Sequence, residues 1–144
     1  MKTINLKLAI VIATILISLS ITQLNSGYGQ NKKTTGIENE SNKYTNYLQN
    51  ARNLLNQTSN EYKNKNYTGA EELAISAYLD NFEYVERVLE QKTSHVFMTD
   101  IEHKMREEIR DLIKDKANQT QLDNIINATD AKLNQAINLL KGEK

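Results

Sequence analysis

The sequence predicts an all-α chain, an antiparallel four-helix bundle behind an N-terminal signal or anchor segment. Three observations predict it. No proline occurs in 144 residues and no glycine between Ala70 and Lys141, so the two residues that break helix interiors are missing over most of the chain. Apolar residues after residue 43 recur at three- and four-residue spacings, as on one face of a helix, with no useful run of two-residue alternation. Short polar stretches divide that pattern into segments of about 18 to 25 residues, which is the layout of bundle helices joined by short loops.

The chain opens with Lys2 and Lys7 and no acid, followed by an apolar run from Leu8 to Ile21 broken only by Thr14, Ser18 and Ser20. That is the charged and hydrophobic sequence of a signal peptide. Gly27 and Gly29 supply small residues for cleavage before Gln30. The run is short beside the roughly 20 residues of a spanning helix. Residues 1–29 are therefore expected to be a signal peptide or an uncleaved anchor touching the membrane through residues 8–24, with the rest secreted or at the cell surface. Residues 30–40, polar and unpatterned, are expected to be a flexible tether, and residues 41–144 the helical domain. Loss of residues 1–29 removes two lysines and leaves 16 basic and 18 acidic residues, so the exported part is only mildly acidic.

The first helix is read from Tyr44, Tyr47, Leu48, Ala51, Leu54, Leu55, Thr58 and Tyr62, and the polar stretch Asn60 to Asn66 ends it. The second opens at Thr68-Gly69-Ala70-Glu71, a capping box in which the threonine oxygen and the glutamate satisfy free N–H groups of the first turn. Its apolar face is Ala70, Ala74, Ala77, Tyr78, Phe82, Val85, Val88 and Leu89. The third starts either at Ser94 or at a second box, Thr99 to Glu102, and runs through Ile101, Met105, Ile109, Leu112 and Ile113. The fourth begins near Thr120 with Asp123 at the third helical position, and buries Leu122, Ile125, Ile126, Thr129, Leu133, Ala136, Ile137 and Leu140.

Composition excludes several chemistries. With no cysteine there is no disulfide scaffold, thiolate zinc site, iron–sulfur cluster, cysteine nucleophile or cysteine-linked lipid. Eighteen basic residues balance 18 acidic ones without a long basic run, which argues against nucleic acid as a partner. No phosphate-binding glycine loop, zinc-protease motif or local Ser/His/Asp set occurs, so no enzyme activity is expected.

The second helix carries Glu72, Asp80, Glu83, Glu86 and Glu90 away from the Tyr78, Phe82, Val85 stripe. Such a face is a solvated surface partly neutralised by Arg87, a carboxylate cluster for a hard or borderline cation, or a partner contact. His95 and His103 are too few for a histidine site. Glu102 and Arg106 stand one turn apart and suit a surface pair, and Arg110 is a candidate for a structural ion pair with an acid on the second helix. Five of the seven tyrosines fall in the first two helices, as core filling with hydroxyls at the rim or, alternatively, as a phenolate site for ferric iron. Asn39, Asn56, Asn66, Asn118 and Asn127 each begin an Asn-x-Ser/Thr sequon, which permits glycosylation of an exported chain or reflects the asparagine-rich composition.

The segment Ala77-Tyr78-Leu79-Asp80-Asn81-Phe82-Glu83-Tyr84-Val85-Glu86, followed by Ile101-Glu102-His103-Lys104-Met105 and Ile109-Arg110, resembles a known pattern. It is similar to the extracytoplasmic helical region that precedes the membrane part of prokaryotic high-affinity iron permeases. There Ala-Tyr-Leu-Asp-x-Phe-Glu-x-x-Glu is followed by Ile-Glu-x-x-Met/Phe and Leu-Arg. The similarity covers about 45 residues, extending more weakly into the fourth helix. The channel motif Arg-Glu-x-x-Glu and any apolar span after residue 24 are absent, so the chain is not the permease. The resemblance implies a free-standing module associated with iron uptake. It would bind the metal through Asp80, Glu83, Glu86 and Glu102, or dock on a membrane iron transporter. The competing expectation is a cell-surface helical interaction module without metal, and a di-iron enzyme is disfavoured because the core stripes contain almost no acids.

Overall fold

A computed structural model describes residues 34–142, and these are all-α: four helices joined by short loops around one hydrophobic core, with no strand among the described residues. Helix α1 is Thr34–Lys63. Helix α2 spans 67–92 as Tyr67–Ala77, a π turn at Tyr78–Phe82 and Glu83–Lys92. Helix α3 spans 95–114 as His95–His103, a second π turn at Lys104–Glu108 and Ile109–Lys114. Helix α4 is Gln119–Lys141. The expected signal or anchor, residues 1–29, lies outside the described residues.

The predicted faces are the buried ones. Leu48, Ala51, Leu55, Phe82, Val85, Leu89, Ile101, Met105, Ile109, Leu122 and Leu133 are wholly inaccessible, while Tyr44, Tyr47, Leu54, Val88, Leu112 and Ile125 pack against them from the rim. Helix α1 packs on both α2 and α4, and α3 closes against α2 and α4. Ties between α1 and α4 run in opposite order along the two helices. They join Ser41 to the Leu140 carbonyl, Arg52 to Asp130, and Ser59 to Asp123, so this pair is antiparallel.

The helix starts differ from the expectations in instructive ways. Helix α1 begins at Thr34, so the stretch expected to be a tether is helical from that residue; once a helix is nucleated, each added residue gains a backbone bond at little further cost. Asn66, not Thr68, caps α2 by accepting from the Gly69 N–H at 3.2 Å. Ser94 caps α3, accepting from Phe97 at 3.2 Å, which selects the earlier of the two expected starts. Asn118 caps α4 in a reciprocal box with Gln121. That frees Asp123 to accept from Ser59 and Gln119. Asn66 and Asn118 each stand two residues ahead of the expected start, Thr68 and Thr120, and asparagine, like the Ser94 of α3, is among the strongest cap formers.

The two π turns have a cause in the apolar spacing. Ile101, Met105, Ile109 and Ile113 repeat every four residues, whereas an α-helix turns every 3.6, so an unbroken helix would carry this stripe around by about 40° per step. A π turn absorbs one surplus residue and keeps all four side chains on the core. Helix α2 carries the same surplus between Ala70 and Leu89. There Asn81, buried within the turn, donates its side-chain amide to the Ser76 carbonyl at 3.0 Å.

Candidate functional site

The two π turns bring a polar group of four into the seam between α2 and α3. Tyr78, buried at the start of the first turn, has its pKa pushed up to about 12, chiefly by burial and then by the charge of Glu86. Glu86 is half-buried; burial raises its carboxyl above the ordinary range, the charges of Glu102 and Glu83 raise it further, and the Tyr78 hydroxyl and Arg106 oppose the shift. Its Oε1 is inaccessible and has no hydrogen-bond partner. From α3, Glu102 accepts from Arg106 Nη1 at 3.0 Å, the surface pair expected one turn apart, and that bond raises the Arg106 pKa. Burial in this seam thus favours the protonated form of both Glu86 and Tyr78.

Of the four carboxylates expected to hold a metal, the seam joins two, Glu86 and Glu102. Asp80 accepts from Ser76 one turn back on its own helix, and Asp80 and Glu83 both face solvent. Among the described residues no three His, Asp or Glu side chains converge as metal ligands. Two carboxylates, one already bonded to a guanidinium, fit poorly the six to eight oxygens a hard cation such as calcium collects. Arg110 reaches the second helix as expected, its Nη2 lying 3.8 Å from Glu71 Oε1, with Lys114 at 3.9 Å from the same oxygen. Asp100 is committed elsewhere, to Lys104 at 2.7 Å and Lys132 of α4 at 2.9 Å, and these bonds hold its carboxyl below the usual range. The histidines are exposed, His95 beside Glu90 and His103 beside Glu107.

Four of the five sequons contain a residue with a structural task. Asn66 and Asn118 are helix caps. Asn56 and Asn127 are exposed, but Thr58 and Thr129, two residues on, are wholly buried and donate to the Leu54 and Ile125 carbonyls. The side chain of Asn39 lies outside the described residues.

Sequence reasoning missed a different place, the surface where the first half of α1 meets the second half of α2. Tyr84 is 59% exposed and stacks on Tyr47, ring centroids 5.2 Å apart. Beside the pair opens a cleft of about 470 Å³ lined by Glu40, Tyr44, Tyr84, Arg87, Val88 and Gln91. An adjoining one of about 300 Å³ shares Glu40, Tyr44 and Val88 and adds Ser41, Lys92 and Leu140. The available signal was Tyr84 itself, a large aromatic off the Tyr78, Phe82, Val85 stripe.

The chain matches no family model, no curated protein and no solved structure. What the two sites can do is therefore read from their own side chains. The seam is a contact between helices in which two carboxylates, Glu86 and Glu102, meet one guanidinium, that of Arg106. The cleft is open, aromatic-walled and edged by cations. Among the described residues no helix is long and apolar enough to cross a membrane.

Proposed function

We propose that this chain is a noncatalytic interaction module displayed outside the cytoplasmic membrane, an antiparallel four-helix bundle that engages a partner protein through the tyrosine-lined cleft between α1 and α2. The observation that carries this reading is the exposed Tyr84, stacked on the half-buried Tyr47 beside that cleft. A tyrosine held by stacking offers a large contact area with little rotamer entropy left to lose, which is why such residues concentrate at binding surfaces. The opposed direction of α1 and α4 and the short loops support the bundle, and the charged, apolar N-terminus supports export. The test is site-specific photocrosslinking in the native cell, with a benzophenone side chain at position 84 or at the exposed position 127, combined with protease treatment of intact cells. A discrete adduct from position 84 alone, on a protein degraded from outside, is the expected result. Equal background from both positions would sink the reading.

A second reading follows the resemblance: association with iron uptake, through carboxylates or by docking on a membrane iron transporter. The juxtaposed Glu86 and Glu102 and the partnerless Glu86 Oε1 favour it, and the Glu102–Arg106 pair weighs against it. Thermal unfolding with ferrous, ferric, manganese and calcium ions decides. A ligand at a hundredfold excess over its Kd stabilises by about 2.7 kcal/mol, and a rise that Glu86→Gln and Glu102→Gln abolish would establish metal binding.

A further inference from the structure

The charges on the cleft say what chemistry it accepts. Arg87 is the one arginine of four with no carboxylate within 4.0 Å among the described residues; Arg52, Arg106 and Arg110 each have one. Lys92, on the adjoining cleft, likewise has none among the described residues, whereas Lys104, Lys114 and Lys132 are paired. Among the described residues Lys43, Lys63, Lys65, Lys116 and Lys141 are unpaired as well, so Lys92 is one exposed lysine of several and the cation that sets the cleft apart is Arg87, the arginine without a carboxylate. Tyr84, Arg87 and Val88 follow one another within a turn of α2 and line one wall, so an aromatic plane, a cation and an aliphatic surface are offered side by side. The stacking on Tyr47 fixes the ring in advance of binding. Glu40, on the rim common to both clefts, disfavours a second anionic group. The volume of about 470 Å³ lies within the range of sites that enclose a small group.

We infer that the cleft binds a protein segment presenting a single carboxylate beside an aromatic or aliphatic side chain, the carboxylate on Arg87 and the apolar group against Tyr84 and Val88. This rests on the reading of the cleft as the partner surface and adds the chemistry of what enters it. Three probes sharing one ring and differing in head charge test it: 3-phenylpropionate, 3-phenylpropanol and 3-phenylpropylammonium. Each is titrated into the full-length chain carrying ¹³C-labelled tyrosine, with the Tyr84 ring signal assigned by its loss in Tyr84→Phe. The carboxylate should bind about fivefold more tightly than the alcohol, the factor an exposed charge pair confers, and the ammonium most weakly. In Arg87→Gln the carboxylate should fall to the affinity of the alcohol, whose own affinity is unchanged. Equal binding of all three probes, or a preference that survives Arg87→Gln, overturns the inference and leaves the cleft as a binding surface. No shift of the Tyr84 signal with any probe overturns both.

Discussion

Arg52 of α1 and Asp130 of α4 form a two-pronged ion pair, Nε to Oδ1 at 2.7 Å and Nη2 to Oδ2 at 3.0 Å, and the remaining Nη1 donates to Asn134 at 3.0 Å. Both side chains are only about a quarter exposed, 23% and 26%, and the bond raises the Arg52 pKa. A forked guanidinium–carboxylate pair fixes orientation as well as distance, so it sets the register of α4 on α1. Asp130→Ala is expected to lower stability by about 1–2 kcal/mol, above the 0.2–1 kcal/mol of a fully exposed pair. Asp130→Asn should cost less, because it keeps an acceptor for the fork. Urea midpoints with unchanged slopes would check both.

Stability should depend on pH through two carboxyls of opposite sign. Glu86 has a folded pKa above its unfolded value, mainly through burial. The native state therefore holds its proton longer, and stability falls as pH rises through the folded value. Asp100 has a folded pKa below its unfolded value through its bonds to Lys104 and Lys132. Its contribution is present above the unfolded value near 3.8 and is lost as pH falls through the folded one. Glu86→Gln should raise the melting temperature at neutral pH and leave it unchanged in acid; Asp100→Asn should lower it at neutral pH and converge with wild type in acid. Melting curves across the two ranges check the signs, and parallel curves for wild type and Glu86→Gln would contradict the first.

The apolar stripes were legible because burial imposes the same three- and four-residue spacing on any bundle helix, and Ala74, Phe82, Ile109 and Leu133 are as inaccessible as their spacing implied. Partnerships between helices were not. Arg52 and Asp130 are 78 residues apart, and nothing local to either marks the other, since register between helices is set by packing. The metal set illustrates the same limit. Asp80, Glu83 and Glu86 lie on one helix, but the π turn puts an extra residue among them, and only Glu86 is carried to Glu102. That turn left a faint trace, the repeated four-residue steps, which a 3.6-residue template reads as an ordinary helix.

Lys65 and Lys116 occupy the left-handed region, with φ of 64° and 50°, each just past a helix end. Both loops close in the same way: Asn66 N–H bonds the Glu61 carbonyl at 2.9 Å, and Ala117 N–H bonds that of Leu112 at 3.0 Å. Glycine is the usual residue at such a position because a Cβ is strained there. Lys65→Gly should therefore stabilise the chain by about 0.5–1 kcal/mol. Lys116→Gly should gain less, because the Lys116 ammonium lies over the Tyr67 ring at 5.3 Å and that attraction is lost. Thermal unfolding of the two single variants and the double one would check the order and additivity.

The π turn of α2 makes the sharpest prediction, because it says that one residue is surplus to the packing. Between Ala70 and Leu89 the helix covers five turns of core contact with about one residue more than 3.6 per turn requires, and the widened turn takes up the excess. Within it, Asn81 supplies the Ser76 carbonyl with a side-chain donor at 3.0 Å. Asn81→Ala leaves that carbonyl without the donor in a buried setting and should cost about 1–3 kcal/mol. Deletion of Leu79, 46% exposed, should do less harm. The chain can then close as an ordinary α-helix, Ser76 accepts a backbone N–H instead, and Phe82, Val85 and Leu89 stay on the core. Deletion of Asn127, in a segment of α4 with no surplus, rotates every later core residue by about 100° and should prevent folding. Circular dichroism and urea unfolding separate the cases, and a chain that tolerates loss of Asn127 as well as loss of Leu79 would refute the phase argument.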